Sequence, residues 1–324
     1  MDARSFLTGP FPRSEALIAA TRDLDRGRAT VEEVEALRRR TEREVVALEE
    51  RLGLAPRTGG YLLWQDLFRP IAERWGGFSV GPLTRWFETN TFFRQPVLSH
   101  PPERVPGALL PTLPAAHGAV LAQEAKVILP GPYTLAGLLD NRSGETNEAL
   151  IHRLGRLFAE ELTELRGAGY ATFQFSEPLL PVRPPHAAAS ESVVAAYRAI
   201  GQAAEGSTTV LWTYFADATP VFPLLQRLPV SVVGVDLAET DPLHLPVPSH
   251  PLGLGLGCLD ARTTLSEDPH QIADIARGAA SRLKPSSIWL GPGGPLDLLP
   301  WGPAARKLEV LPAARASLAK RRVP

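Results

Sequence analysis

Short apolar runs rich in β-branched and aromatic residues alternate along this chain with longer segments whose apolar side chains recur every three or four positions. That order predicts parallel strands joined by crossover helices. Strands are expected at Ser5–Thr8, Tyr61–Trp64, Lys126–Leu129, Ala171–Phe175, Val210–Tyr214, Val232–Asp236, Leu252–Cys258 and Ser287–Leu290, with Thr84–Val97 as an inserted hairpin or extended loop. Helix signals fall between them. Thr30 and Glu33 form a capping-box pattern ahead of Val34, Leu37, Val45, Leu48 and Leu52. Leu150, Ile151, Leu154, Leu157, Phe158, Leu162 and Leu165 share one helical face that Gly167 and Gly169 end, and Asp268-Pro269 opens another helix. About eight alternations predict an α/β fold, a single (β/α)8 TIM barrel over residues 1–324 with an inserted segment near 84–110.

Composition narrows the partners. Lys plus Arg (34) nearly cancels Asp plus Glu (35), so the chain has no long-range field to hold a nucleic acid or an anionic membrane. No apolar stretch approaches the ~20 residues of a membrane span, and Met1 to Phe6 shows no leader-type apolar run, which predicts a cytoplasmic protein. The single cysteine, Cys258, excludes an intramolecular disulfide and any zinc site that needs two cysteines of this chain. It ends an apolar run and reads first as a buried inert thiol, with a nucleophile as the alternative.

In a parallel barrel the chemistry comes from the C-terminal strand ends. The polar residues there are Gln174, Ser176 and Glu177; Tyr214 and Asp217; Asp236 and Glu239; and Asp260 with Arg262. Several carboxylates and an arginine converging on one mouth suit a small zwitterion. Asp236 and Arg262, on neighbouring strand ends, are expected to touch. Gly253, Gly255 and Gly257 echo a dinucleotide fingerprint without its last glycine, and read better as small residues at a close backbone approach. Gly291-Pro292-Gly293-Gly294-Pro295 reads as a rigid loop or a backbone anion cradle, and the seven histidines show no metal-binding spacing.

The strand-end motifs, taken in order, resemble one family. Gly9-Pro10-Phe11-Pro12-Arg13, Arg85-Trp86-Phe87-Glu88-Thr89-Asn90, Leu129-Pro130-Gly131-Pro132-Tyr133-Thr134, Gln174-Phe175-Ser176-Glu177-Pro178, Trp212-Thr213-Tyr214-Phe215, Val235-Asp236-Leu237 and Leu259-Asp260-Ala261-Arg262 are similar to segments of cobalamin-independent methionine synthases. The resemblance is strongest to the N-terminal, non-catalytic barrel of the long members and implies a methionine synthase/uroporphyrinogen decarboxylase-like barrel. The catalytic barrel's His-x-Cys pair, Glu and second Cys have no counterpart, since Trp212, Tyr214, Asp236 and Gly291–Gly294 stand there, so the resemblance implies no protein-bound zinc or other bound cofactor.

By resemblance, a methyltetrahydrofolate ligand would meet Arg13 or Arg94 through its glutamyl carboxylates. Its pterin would stack on an aromatic face among Trp86, Phe87, Phe92 and Phe93, and Asn90 would pair with its edge. The alternative for these aromatics is packing of the insertion onto the barrel. Ser176 replaces the family's Asp at the amino-acid subsite, leaving Glu177 as an ammonium partner or as a cap of the next loop. The expected substrate-binding set is therefore Arg13, Trp86, Asn90, Gln174, Glu177, Tyr214, Asp236, Asp260 and Arg262. Three functions compete: the N-terminal-type part of a split methionine synthase acting with a separately encoded zinc-containing barrel, a stand-alone zinc-independent methyltransferase, and a non-catalytic binding barrel.

Overall fold

The computed structural model describes residues 3–319; Met1 and Asp2, which open the stretch read for a leader, lie outside them, as do residues 320–324. The strands are β1 (Ala3–Ser5), β2 (Gly76–Arg85), β3 (Phe92–Glu103), β4 (Lys126–Pro130), β5 (Asp140–Asn141), β6 (Thr172–Ser176), β7 (Thr208–Trp212), β8 (Val232–Asp236), β9 (Gly253–Leu259) and β10 (Ile288–Pro292). The helices are α1 (Glu15–Asp25), α2 (Val31–Arg51), α3 (Arg69–Arg74), α4 (Pro132–Leu138), α5 (Asn147–Gly167), α6 (Leu179–Val182), α7 (Ala187–Ala203), α8 (Phe222–Leu225), α9 (Pro269–Leu283), α10 (Trp301–Leu308) and α11 (Val310–Ala319).

Local chemistry starts these helices where expected. Thr30 and Glu33 close a reciprocal capping box on α2, and Asp268 accepts from the His270 N–H ahead of α9 with proline at its first position. None of the described helices is long and apolar enough to cross a membrane.

Seven strands form one sheet in the order β1-β10-β9-β8-β7-β6-β4, with every pairing parallel. Its two edges are bridged by the same short segment. The Ala55 N–H donates to Ser5 O of β1 at 2.8 Å, while Arg57 exchanges backbone bonds with the start of β4, through Glu124 O at 2.9 Å and the Lys126 N–H at 2.7 Å. Because both edges reach one three-residue segment, the sheet curls on itself.

The strand expected at Tyr61–Trp64 does not form. Gly59, Gly60 and Tyr61 have φ of 60°, 80° and 52°, a left-handed run that bends the chain into a tight helical turn. Tyr61 serves the neighbouring edge through its side chain instead: its hydroxyl donates to Lys126 O at 3.1 Å and accepts from the Ile128 N–H at 2.5 Å.

The interior of the curl holds large side chains. Trp212 fills it, meets Phe6 edge-on at 5.3 Å between ring centroids and donates from Nε1 to Gly293 O at 2.9 Å. A Cβ on Gly234 of β8 or Gly255 of β9 would stand 2.0 or 2.3 Å from the Trp212 ring, and one on Gly257 would stand 2.6 Å from the Gly293 Cα, so these glycines answer to close packing inside the curl. On the outer face, Phe175 packs against Phe158 of α5 and Tyr197 of α7.

The insertion is a hairpin. β2 and β3 pair antiparallel, joining earlier than the expected Thr84, and β5 adds to β3 in parallel. Trp86 and Phe93 pack edge-on against Phe68, and Phe87 lies 5.2 Å from Phe215 beyond β7. The aromatics thus seat the hairpin over the C-terminal ends of the strands, with Phe87 and Phe215 both left-handed at φ 47° and 75°.

Candidate functional site

Most of the polar groups at the strand ends are held by the protein itself. The Gln174 carboxamide accepts from Lys126 Nζ at 2.6 Å and donates to Thr8 O inside the curl. Lys126 Nζ lies 3.9 Å from the centre of the Phe6 ring, fully buried, which holds its pKa well below the lysine value. Glu177 accepts four hydrogen bonds, from Tyr133 N (3.1 Å), Thr134 N (2.8 Å), Thr134 Oγ1 (2.6 Å) and Tyr197 Oη (3.1 Å). It thereby caps the N-terminus of α4, where a carboxylate meets orphan N–H groups. Burial pushes its pKa up to about 7 against those bonds. Of its two readings, the cap is the one the geometry supplies.

The expected contact between Asp236 and Arg262 is not formed. Asp236 Oδ1 accepts from the Ala238 N–H at 3.1 Å and Oδ2 from the Phe215 N–H at 3.5 Å, so it folds the loops after β7 and β8 onto each other. Burial pushes its pKa up to about 6, with Arg262 acting on it only at a distance. Arg262 pairs instead with Glu239 and Asp260, in side chains 35%, 32% and 31% exposed, because Asp260 lies two residues away in the same turn. The Asp260 side and the Arg262 side open on different small cavities.

A different part of the mouth is left without partners. Arg13 follows β1 and faces a 760 Å³ cavity bounded also by Tyr61, Trp64, Gln65, Asp297 and Trp301. A second cavity of about 60 Å³ under the hairpin shares Pro10, Gln65 and Asp297 with it and is lined also by Ser176, Tyr214, Trp86 and Phe93. Arg13 lines the cavity, is only partly exposed, and forms no ion pair or side-chain hydrogen bond among the described residues. Asp297 is exposed to the cavity, where the surrounding protein raises its pKa while Arg13 pulls it down. Tyr214 is buried, and its hydroxyl makes no hydrogen bond of good geometry, with the Ser176 hydroxyl as its near polar neighbour.

Of the expected residues, Arg13 lines the larger cavity and Trp86 and Tyr214 the smaller one beside it, while Gln174, Glu177, Asp236, Asp260 and Arg262 line neither. Asn90 sits exposed in the turn between β2 and β3, away from both chambers, because the turn points outward and the rings of Trp86 and Phe93 point in. Asp297 and Asp66 were not anticipated. Asp66 is a wall group whose two oxygens accept from Phe68 N at 2.9 Å and Arg94 N at 3.1 Å. Asp297 had a readable signal: a lone carboxylate among leucines in Pro295-Leu296-Asp297-Leu298-Leu299-Pro300, just after the last strand, where barrel sites commonly draw their residues.

The donor set was also compared with zinc chemistry. Trp212 Nε1 is bonded to Gly293 O, the Asp236 oxygens face backbone N–H groups, and burial pushes the Cys258 thiol up to about 12. Among the described residues no cluster of three or more His, Cys, Asp or Glu is placed to hold a metal ion. These residues do not fit a zinc site.

Comparison with known proteins adds a lineage. Residues 78–278 match the family model described as the cobalamin-independent synthase, N-terminal domain. The chain is 25% identical over 305 residues to a methionine synthase of Sulfurisphaera tokodaii, covering 93% of this chain and 88% of that one. It is 29% identical over 251 residues to a 5-methyltetrahydropteroyltriglutamate–homocysteine methyltransferase of Nitratidesulfovibrio vulgaris, covering 70% of this chain but 32% of that longer one. Two solved structures share the fold: a B12-independent methionine synthase from Shewanella in complex with selenomethionine (17% identity, 97% and 96% of the two chains, TM-score 0.75), and a putative vitamin-B12 independent methionine synthase from Listeria monocytogenes (15%, 98% and 98%, TM-score 0.77).

Proposed function

The chain belongs to the cobalamin-independent methionine synthase family through that family's N-terminal domain, and from this we propose that it is a folate-binding barrel assisting methyl transfer to homocysteine in concert with a separately encoded zinc-containing barrel. The observation that carries the reading is Arg13, an unpaired guanidinium facing a 760 Å³ cavity at the C-terminal end of the parallel strands. A fork of donors without a carboxylate is suited to the glutamyl tail of methyltetrahydrofolate. In the same reading the segment at Ala55–Arg57 acts as the eighth stave of a (β/α)8 barrel, hydrogen-bonded to both sheet edges.

Zinc in such a system activates homocysteine as a thiolate. This chain's own strand ends do not supply the ligands, so the zinc belongs to the partner and the role here is to hold the donor. A relative of similar length, covered over 88% of its residues, bears the name methionine synthase, and this favours a second reading in which a single barrel transfers the methyl group without a partner.

Titration with methyltetrahydropteroyltriglutamate decides between binding and its absence. The expected result is saturable quenching of tryptophan fluorescence, with Arg13→Ala weakening affinity by about tenfold or more, about 1.4 kcal/mol, and leaving the melting temperature unchanged. Methyl transfer assayed with and without an added zinc-containing barrel then separates the two readings: activity of the isolated chain favours the second, and dependence on the added barrel favours the first.

A further inference from the structure

The chamber beneath the hairpin contains a feature that the tail-binding role of Arg13 does not use. Tyr214 is 1% exposed and its hydroxyl has no hydrogen-bond partner, a state that a ligand would relieve. Beside it stand the Ser176 hydroxyl and the carboxyl of Asp297, which lines both cavities. The remaining walls, Pro10, Leu67, Trp86, Phe93, Pro295 and Leu298, are flat or apolar. A space of about 60 Å³ admits the rim of a ring and not its whole body, which has the adjoining 760 Å³ to occupy.

Two tips compete for such a pocket. A primary ammonium brings three donors and no acceptor, so it would leave the Tyr214 O–H unpaired, and it would add an ion to walls that are largely apolar. A neutral edge with adjacent N–H donors and a carbonyl answers each group in turn. Its N–H groups meet Asp297, its carbonyl accepts from Tyr214, and Ser176 can serve either. The charged groups facing Asp297 are Arg13 from the loop after β1 and Asp66 from the segment before α3, and the Asp66 oxygens are already engaged by Phe68 N and Arg94 N.

We propose that Asp297 and Tyr214, with Ser176, form a recognition site for the lactam–amine edge of a flat bicyclic heterocycle of the pterin type. This rests on the folate reading above, and it moves ring-edge recognition from Asn90, which lies exposed at the hairpin turn, to residues after the last and seventh described strands of the chain order. The ring edge enters the chamber under Trp86, and the rest of the molecule runs past Gln65 towards Arg13.

The test uses the full chain and three small probes: 6-methylpterin, which has the edge and no tail; tri-γ-glutamate, which has the tail and no ring; and methylammonium. The expected result is that 6-methylpterin binds with tryptophan quenching, that Asp297→Asn weakens it by about tenfold or more, and that Tyr214→Phe weakens it several-fold. Arg13→Ala is expected to weaken tri-γ-glutamate far more than 6-methylpterin, which it touches only through its field on Asp297. Tyr214→Phe removes only the orphan hydroxyl, so its melting temperature should hold or rise, which guards against a folding artefact. The proposal is overturned if 6-methylpterin fails to bind up to its solubility limit, if Asp297→Asn binds it as well as the parent, or if methylammonium displaces it in an Asp297-dependent way. Arg13-dependent binding of the full folate with no Asp297 effect removes this inference alone. Asp297-dependent 6-methylpterin binding without Arg13-dependent folate binding removes the tail reading and leaves this one standing.

Discussion

Two sides of the same barrel mouth treat their charges in opposite ways. Around β6 to β9, Glu177, Asp236, Asp260 and Arg262 are each bound by groups of the protein itself. Between the loop after β1 and the loop after β10, Arg13 and Asp297 face a large cavity without side-chain partners, and Tyr214 waits with an orphan hydroxyl. The groups around β6 to β9 that the protein itself binds read as architecture, while the buried Tyr214 hydroxyl, with Arg13 and Asp297 open to the cavity, marks the other side as a place for a ligand. Motif likeness marks residues on both sides equally. Only the hydrogen-bond inventory separates them.

Mutation should expose the same contrast, most strongly at Glu177. Glu177→Ala leaves the Tyr133 and Thr134 N–H groups and two hydroxyls without an acceptor, and is expected to cost about 3 kcal/mol or more in urea unfolding. A loss below ~1 kcal/mol would move Glu177 to the ligand side of the comparison. Next in size is Gly234→Ala, whose methyl group would collide with the Trp212 ring and should cost roughly 1–3 kcal/mol, partly recovered when Trp212→Phe is added.

A smaller effect follows from pH. Glu49 and Glu177 both have pKa values raised by burial to about 7 from 4.5, so the bound proton favours the folded state. Their contribution is fully present below pH 4.5 and is lost as pH rises through about 7. The melting temperature should therefore fall by a few degrees between pH 5 and pH 8, and Glu177→Gln should flatten part of that slope. A melting temperature that rises over this interval would contradict the assignment. The smallest effect belongs to Arg262→Ala, expected below ~1 kcal/mol because its pairs are about a third exposed, and additive with Asp236→Asn since the two do not touch.

Much of the fold could be read from the residues because its signals are local. Apolar runs placed β4, β6, β7, β8, β9 and β10 within a few residues, and Thr30, Glu33 and Asp268 marked helix starts that the structure keeps. The failure at Tyr61–Trp64 is also physical: aromatic and leucine side chains there look strand-like, but Gly59 and Gly60 turn the chain left-handed and Tyr61 bonds the β4 edge with its phenol. At the site, Arg13 could be picked out by its motif. Asp297 had only the weaker signal of a lone carboxylate after the last strand, and its place beside Arg13 was not readable, since residues 13 and 297 become neighbours only when the first and last strands of the chain pair in the sheet.

The central claim, that ligand binding belongs to the Arg13–Asp297 side and architecture to the Glu177 side, is tested most directly by calorimetric titration of methyltetrahydropteroyltriglutamate into the parent chain, Arg13→Ala and Glu177→Ala, each with its melting temperature. The account predicts about tenfold or greater loss of affinity with unchanged melting for Arg13→Ala, and lowered melting with affinity retained in the folded fraction for Glu177→Ala. Parent-like affinity in Arg13→Ala together with lost affinity and unchanged melting in Glu177→Ala would contradict it.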